Sequence, residues 1–239
     1  MPFPRRGLLA TVPAAVFAVA VGEASAATTD LAVSCDTATA RAVTRAGAAV
    51  RARTGVRIRV FPTLPGLLLP QLEREIQNDL VVTQLAVLDQ AEQEGLIQPG
   101  GRTGPWRNRL VTAAARDPAG PEGSFAVPDP TPAQGIDGNA ILERLDAAPT
   151  KVLGVIDTEA VAWMLTRGEA RQGLLHQTEV SGDDRLTTIA VVPDDAWPPI
   201  LYAATVTKLA QRGDPAAFVA FLGSPDGQAV LHAAGLESV

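Results

Sequence analysis

The stretch "LAVSCDTATARAVTRAGAAVRARTGVRIRVF", residues 31–61, decides the fold. It opens on Leu31 to Cys35, an apolar run compatible with a strand. An Ala-rich segment follows at once. Ala38, Ala42, Ala46 and Ala49/Val50 share one stripe at helical spacing, arginines take the other side, and Gly55 supplies a stop. Val56 to Phe61 then alternates with a period of two, as a half-buried strand does. A strand, a helix and a second strand in one run form a crossover unit. Such a unit makes its two strands parallel neighbours of one sheet.

The order continues outward. "LLLPQLEREIQ" is predicted helical after Pro70, a good first-turn residue. "DLVVTQ" is a short buried strand, and "LAVLDQAEQEG" is an amphipathic helix that ends at Gly95. This alternation predicts an α/β chain with mostly parallel sheet and helices on both faces. The middle is looser. "ARDPAGPEGS" is a Pro/Gly loop, "FAVPDPTPAQGIDG" runs from a short strand into turns, and "NAILERLDA" is helical. "KVLGVI", "RQGLLHQ", "LTTIAVV" and "PPILYAATV" read as strands, and "DTEAVAWMLTRGE" reads as a helix. Two closing helices are broken at Ser224-Pro225. Two βα halves with a late return point to two lobes and a cleft between them.

Residues 1–26 carry Arg5 and Arg6, then an uncharged apolar run from Gly7 to Gly22, then Ala24-Ser25-Ala26. That is the layout of a cleaved secretory leader, and the run is too short for a comfortable membrane span. The 239-residue chain has a formal net charge of −6. The leader itself is +1 (Arg5, Arg6, Glu23), so an exported product would be near −7. Such a charge disfavours nucleic acid as a partner. The single cysteine, Cys35, excludes an intrachain disulfide, and its place in the first strand fits a buried small hydrophobe.

Several of these segments, in order, resemble the periplasmic molybdate-binding proteins of ABC importers. "LAVSCDTATARAV" stands where that family has strand, turn and helix. "QLEREIQNDLVVTQ", "LDQAEQEGLI", "NRLV" (108–111), Asp129-Pro130 with Gly135, and "RGEARQGLLHQTEV" follow. The most specific pieces are "VPDDAWPPILYAATVTK" and "FVAFLGSPDGQAVLHAAGL". The resemblance implies a two-lobed solute-binding fold, with lobe 1 at 27–112 and 200–239 and lobe 2 at 113–199. It implies a small-molecule or oxyanion ligand in the cleft, an ABC permease in the inner membrane as partner, periplasmic location, a monomer, no cofactor, no bound metal and no catalysis. Helix N-termini would aim N–H groups at the ligand.

Carried over residue by residue, the ligand slots become Asp36, Thr37, Ala38, Thr63, Gln134, Asp137, Asp157, Thr158 and His176. Ala38 stands where the family has Ser, Asp137 where it has Tyr, and His176 where a second Tyr faces the ligand. Three carboxylates would repel an oxyanion and suit an amine, a polyol or a cation. Each slot also has a structural reading. Asp36 and Asp157 precede helices and can cap them, Asp137 can serve "NAILERL" in the same way, and His176 can be a satisfied interior histidine. Trp163 and Trp197 read as packing residues. Three other functions fit parts of the pattern. A metal receptor would use Cys35, Asp36, Asp137 and His176. A hydrolase would use Cys35 with His176. A regulator's effector half would share the bilobal shape, but the leader argues against it.

Overall fold

A computed structural model describes residues 30–76, 78–130, 135–145, 147–198 and 200–239. The leader and Gln134 lie outside the described residues. The first unit runs β1 (Leu31–Asp36), a 3-10 turn (Thr37–Thr39), α1 (Ala40–Thr54), β2 (Ile58–Thr63), α2 (Pro65–Glu73), β3 (Leu80–Gln84), α3 (Leu85–Gln93) and β4 (Thr103–Asn108). The second runs β5 (Leu110–Ala115), β6 (Ser124–Pro128), α4 (Gly138–Arg144), β7 (Lys151–Val155), α5 (Thr158–Arg167), β8 (Gln172–His176), α6 (Gln177–Ser181) and β9 (Leu186–Val191). The chain then adds β10 (Ile200–Val206), α7 (Pro215–Gly223), α8 (Pro225–Ala233) and β11 (Leu236–Ser238).

Two sheets result. The first has the order β11-β4-β10-β3-β1-β2 and the second β7-β6-β8-β5-β9. As the opening stretch predicts, β1 pairs parallel with both β2 and β3. The return strand β10 enters the first sheet antiparallel, between β3 and β4. Asn108 ends a strand of one sheet and Leu110 begins a strand of the other, so "NRLV" is the crossing point, with Arg109 between the sheets.

Helices cover both faces of each sheet. Alternation along β1 sends Leu31, Val33 and Cys35 into one cluster with Val43 of α1 and Phe218 and Leu222 of α7. On the opposite face Val81 joins Leu68 and Leu72 of α2 and Leu88 of α3. In the second sheet Val111 and Leu175 pack with Val161 and Leu165 of α5, while Phe125 and Leu174 pack with Ile141 of α4. Asp79, fully buried, ties strands to loop. Its carboxylate accepts the backbone N–H groups of Ala32 (2.8 Å), Gln211 (3.1 Å) and Arg212 (3.3 Å).

Three local expectations need correction. α2 begins at Pro65, not after Pro70, because Pro65 fills the first-turn position and Pro70 is accommodated inside the helix. β4 and β11 carry little apolar alternation of their own and are made strands by pairing with each other, and β4 also with β10. Trp163 does not pack inside. It is 57 % exposed, with the Arg167 guanidinium 4.7 Å above its ring.

Candidate functional site

Because β1, β2 and β3 are parallel, their C-terminal ends share one edge of the first sheet. At that edge each passes directly into a helical turn, and none of the three starts receives a hydrogen bond from its own capping residue's side chain. Backbone N–H groups without a side-chain cap therefore gather there, although Pro65 brings none and the Leu67 N–H is taken by the Leu64 carbonyl. α5 and α6, from the second unit, reach the same edge and touch the Thr37–Thr39 turn. The Thr178 hydroxyl of α6 donates to the Ala38 carbonyl and accepts from Asn108 Nδ2 at 2.9 Å. Ala38, in the expected hydroxyl slot, is thus sealed against the other unit.

Buried polar side chains from both units meet behind this contact. Asp36 is fully buried. Its Oδ1 accepts from the Thr83 hydroxyl at 2.6 Å, and Oδ2 has no partner. Burial pushes its carboxyl up to about 7, against the pull of the Thr83 hydroxyl and the Gln84 N–H. Tyr202 stands on β10 in register with Gln84, buried, and its hydroxyl has no hydrogen-bond partner. Burial raises that phenol well above its usual range, and the charges of Asp36 and Glu179 add to the effect. The Gln84 amide lies near enough to oppose it but does not meet hydrogen-bond geometry.

The second unit contributes Glu179, Thr158 and His176. The Glu179 carboxylate accepts the backbone N–H of His176 (2.7 Å) and the Thr158 hydroxyl (2.6 Å), and His176 Nδ1 lies 3.3 Å away. Burial alone would raise Glu179, but the bonds from His176 and Thr158 outweigh it and hold the carboxyl below its ordinary value. His176 Nε2 is buried and unpartnered. Asp36 Oδ2, Tyr202 Oη and His176 Nε2 are therefore three polar atoms with unmet hydrogen-bonding capacity where the two units meet. Buried groups of this kind are rare unless something else satisfies them. Close by, Gln84, Leu85, Trp197, Pro198 and Gly135 border an open cavity of about 450 Å³. That volume is in the range of small-molecule sites.

The sequence-derived slots divide accordingly. Asp36, Thr158 and His176 join the cluster, and Thr37 and Ala38 form the turn beside it. Asp36 does not cap its turn, because its side chain is engaged by Thr83 on the neighbouring strand instead. Asp157 does cap, accepting Ala160 N–H at 2.7 Å, and Asp137 caps α4 through Ala140 N–H at 3.0 Å. Thr63 lies opposite Asp36 in the sheet, but its hydroxyl accepts from Gln71 Nε2 at 3.0 Å. Glu179, Tyr202 and Thr83 were missed. Glu179 follows His176 by three residues, the capping-box spacing, and Thr83 is a polar residue in an apolar strand, so both left a signal.

Cys35 sits in the apolar core, and burial, with the Asp36 charge adding to it, drives its thiol far above the usual range. A thiol so placed is poorly suited to act as a nucleophile, and the hydrolase reading gains no support from its surroundings. Among the described residues no group of three or more His, Cys, Asp or Glu side chains is arranged to hold a metal ion, so the four-ligand metal reading does not assemble.

Solved structures similar to this chain include substrate-binding and periplasmic binding proteins. The substrate-binding domain of a putative molybdenum ABC transporter from Clostridium difficile superposes with a TM-score of 0.68 at 19% identity, over 88% of this chain and 99% of that one. The periplasmic molybdate-binding protein of Azotobacter vinelandii gives 0.71 at 15%, over 86% and 98%. The periplasmic binding protein AfuA of Actinobacillus pleuropneumoniae, with fructose-6-phosphate bound, gives 0.61 at 18%, over 88% and 85%. Among curated protein sequences none matches. The family model for bacterial extracellular solute-binding proteins matches residues 31–237, and the chain belongs to that family.

Proposed function

We propose that the chain is the exported receptor of an ABC importer and that it holds a small, non-anionic solute, an amine or a polyol, between its lobes. In this reading lobe 1 is about 27–112 with 200–239, lobe 2 is about 113–199, and the leader directs the protein to the periplasm. The observation that carries the solute class is the unpartnered, fully buried Asp36 Oδ2, with Tyr202 Oη within reach of the Asp36 charge and His176 Nε2 likewise unpartnered. A donor-rich solute satisfies all three. It also relieves the desolvated carboxylate, which a tetrahedral dianion would oppose.

One observation favours an oxyanion instead. The three uncapped helical starts at the ends of β1, β2 and β3 present N–H groups to the same edge. An oxyanion would require Asp36 to be protonated, so the two readings differ in pH dependence. Affinity for an amine falls about tenfold per pH unit below 7 as Asp36 takes up its proton, whereas affinity for an oxyanion rises. A thermal-shift panel of molybdate, tungstate, sulfate, amines and sugars at pH 6 and pH 8 decides between them. The expected result is a shift with an amine or polyol that disappears in Asp36→Ala. Molybdate or tungstate alone raising the melting temperature at micromolar levels would refute the non-anionic solute.

A further inference from the structure

Residues 37–72 contain six arginines and no acidic residue. The whole chain is −6, so everything outside this stretch totals −12. Folding concentrates this charge on α1 and β2. Along α1 the residues Ala42, Val43, Ala46 and Val50 turn inward, which leaves Arg41, Arg45, Arg51 and Arg53 on the exposed side. β2 is the outermost strand of its sheet and adds exposed Arg57 and Arg59.

Between α1 and β2 lies an open groove of about 850 Å³. Its depth has a local cause. Gly47 lets the helix approach the strand so closely that a Cβ there would stand 2.8 Å from Ile58 Cβ. Thr44 and Ala48 keep the helix side low, and Arg51, Arg57 and Arg59 line the walls. The groove occupies the Ile58 end of β2, whereas the solute cluster lies beyond the Thr63 end. Five residues of strand separate the two, about 16 Å.

Arg41, Arg45 and Arg53 have partners within the molecule, but the three groove arginines are not used up there. Arg51 makes no ion pair or side-chain hydrogen bond among the described residues. Arg59 only stacks on Phe61, at 5.9 Å. Arg57 lies 4.0 Å from Asp30, the one acid on the groove, with both side chains exposed to water, a pairing of little strength. We propose that this groove is a docking site for an acidic segment of a partner protein. All six cations of the stretch are arginine, whose planar fork suits carboxylates in a bidentate way that lysine does not. The surface is concave, so a peptide can enter it, whereas a flat bilayer would reach only its rim. Pro62 on the edge strand lacks an N–H, so the arginine side chains, rather than strand addition, supply the attraction.

The test uses the full exported chain and a fluorescein-labelled decaglutamate at about 0.15 M salt, where surface charge is already screened over about 8 Å. Fluorescence anisotropy is expected to show binding that weakens about tenfold or more in the triple variant Arg51→Glu, Arg57→Glu, Arg59→Glu. A control triple with the same charge change on the other unit, Arg116→Glu, Arg167→Glu, Arg185→Glu, is expected to bind as the parent does. Arg51→Glu alone, at a side chain with no partner to lose, should weaken binding several-fold and keeps the test decisive if the triple folds poorly. No binding by the parent, equal binding by the Arg51 variant, or equal loss in the control triple overturns the proposal. So does binding to phosphatidylglycerol vesicles in place of the peptide.

Discussion

Asp36 ends β1 in an extended conformation, and its side chain reaches Thr83 on the next strand rather than the free N–H groups of its own turn. One oxygen is left dry and unpartnered, so the fold favours the protonated form and the carboxyl is pushed up to about 7. A carboxyl raised above its unfolded value of about 3.9 contributes stability that is complete at low pH and is lost as pH rises towards 7. Asp36→Asn keeps the shape and the acceptor for Thr83. It should leave stability unchanged near pH 4 and raise it progressively above that, to about 3–4 kcal/mol at pH 8. Urea denaturation at a series of pH values measures this, and a variant no more stable than the parent at pH 8 would contradict the buried-carboxyl account. Glu179 works in the opposite sense. Held below its ordinary value by His176 and Thr158, it contributes stability at neutral pH that is lost on acidification.

At the scale of elements, much was legible because local chemistry and tertiary role agree. Ser224 accepts Gly227 N–H at 3.2 Å with Pro225 in the first turn of α8, so "SPDG" marks a helix start in the sequence as in the fold. Gly55 closes α1 in the left-handed region, as its position predicts. The α5 cap was legible too, since Asp157 does only what an N-cap does. Asp36 was ambiguous, because no single-sequence rule separates a carboxylate that turns onto its helix from one held by a neighbouring strand. Tyr202 reaches the site only because β10 returns antiparallel beside β3, a pairing across more than a hundred residues that periodicity does not encode. Asp79 acts at this scale as well, joining β1, β3 and the segment after β10 through backbone N–H groups. Asp79→Ala removes the acceptor from the buried Ala32 N–H and from the more exposed N–H groups of Gln211 and Arg212. We expect it to cost about 1–3 kcal/mol. Chemical denaturation measures the loss, and a cost under about 1 kcal/mol would mean that water replaces the carboxylate.

Across the whole molecule the candidate site exists only while the two units touch. Asp36 and Tyr202 belong to one sheet, and His176 and Glu179 to the other. The link nearest them is the Thr178 hydroxyl on the Ala38 carbonyl, supported by Asn108. On the outer side the half-exposed Arg41 guanidinium lies 3.7 Å from Asp183, whose largely buried carboxylate is held chiefly by Arg185. In the receptor reading closure is a hinge motion, and its equilibrium is set by such contacts together with whatever the cleft holds. Thr178→Val preserves volume but removes the hydroxyl, leaving the Ala38 carbonyl and Asn108 without that partner in the closed form only. Open forms lose nothing, so the variant should shift the ligand-free protein towards opening by about 1–2 kcal/mol, a factor of about 5–30 in population. Small-angle scattering should then show a larger radius of gyration than the parent without solute, with parent-like dimensions restored at saturating solute. Solute affinity should fall by a similar factor, because the binding-competent population has fallen. Unchanged dimensions together with unchanged affinity would mean that the Thr178 contact does not govern closure.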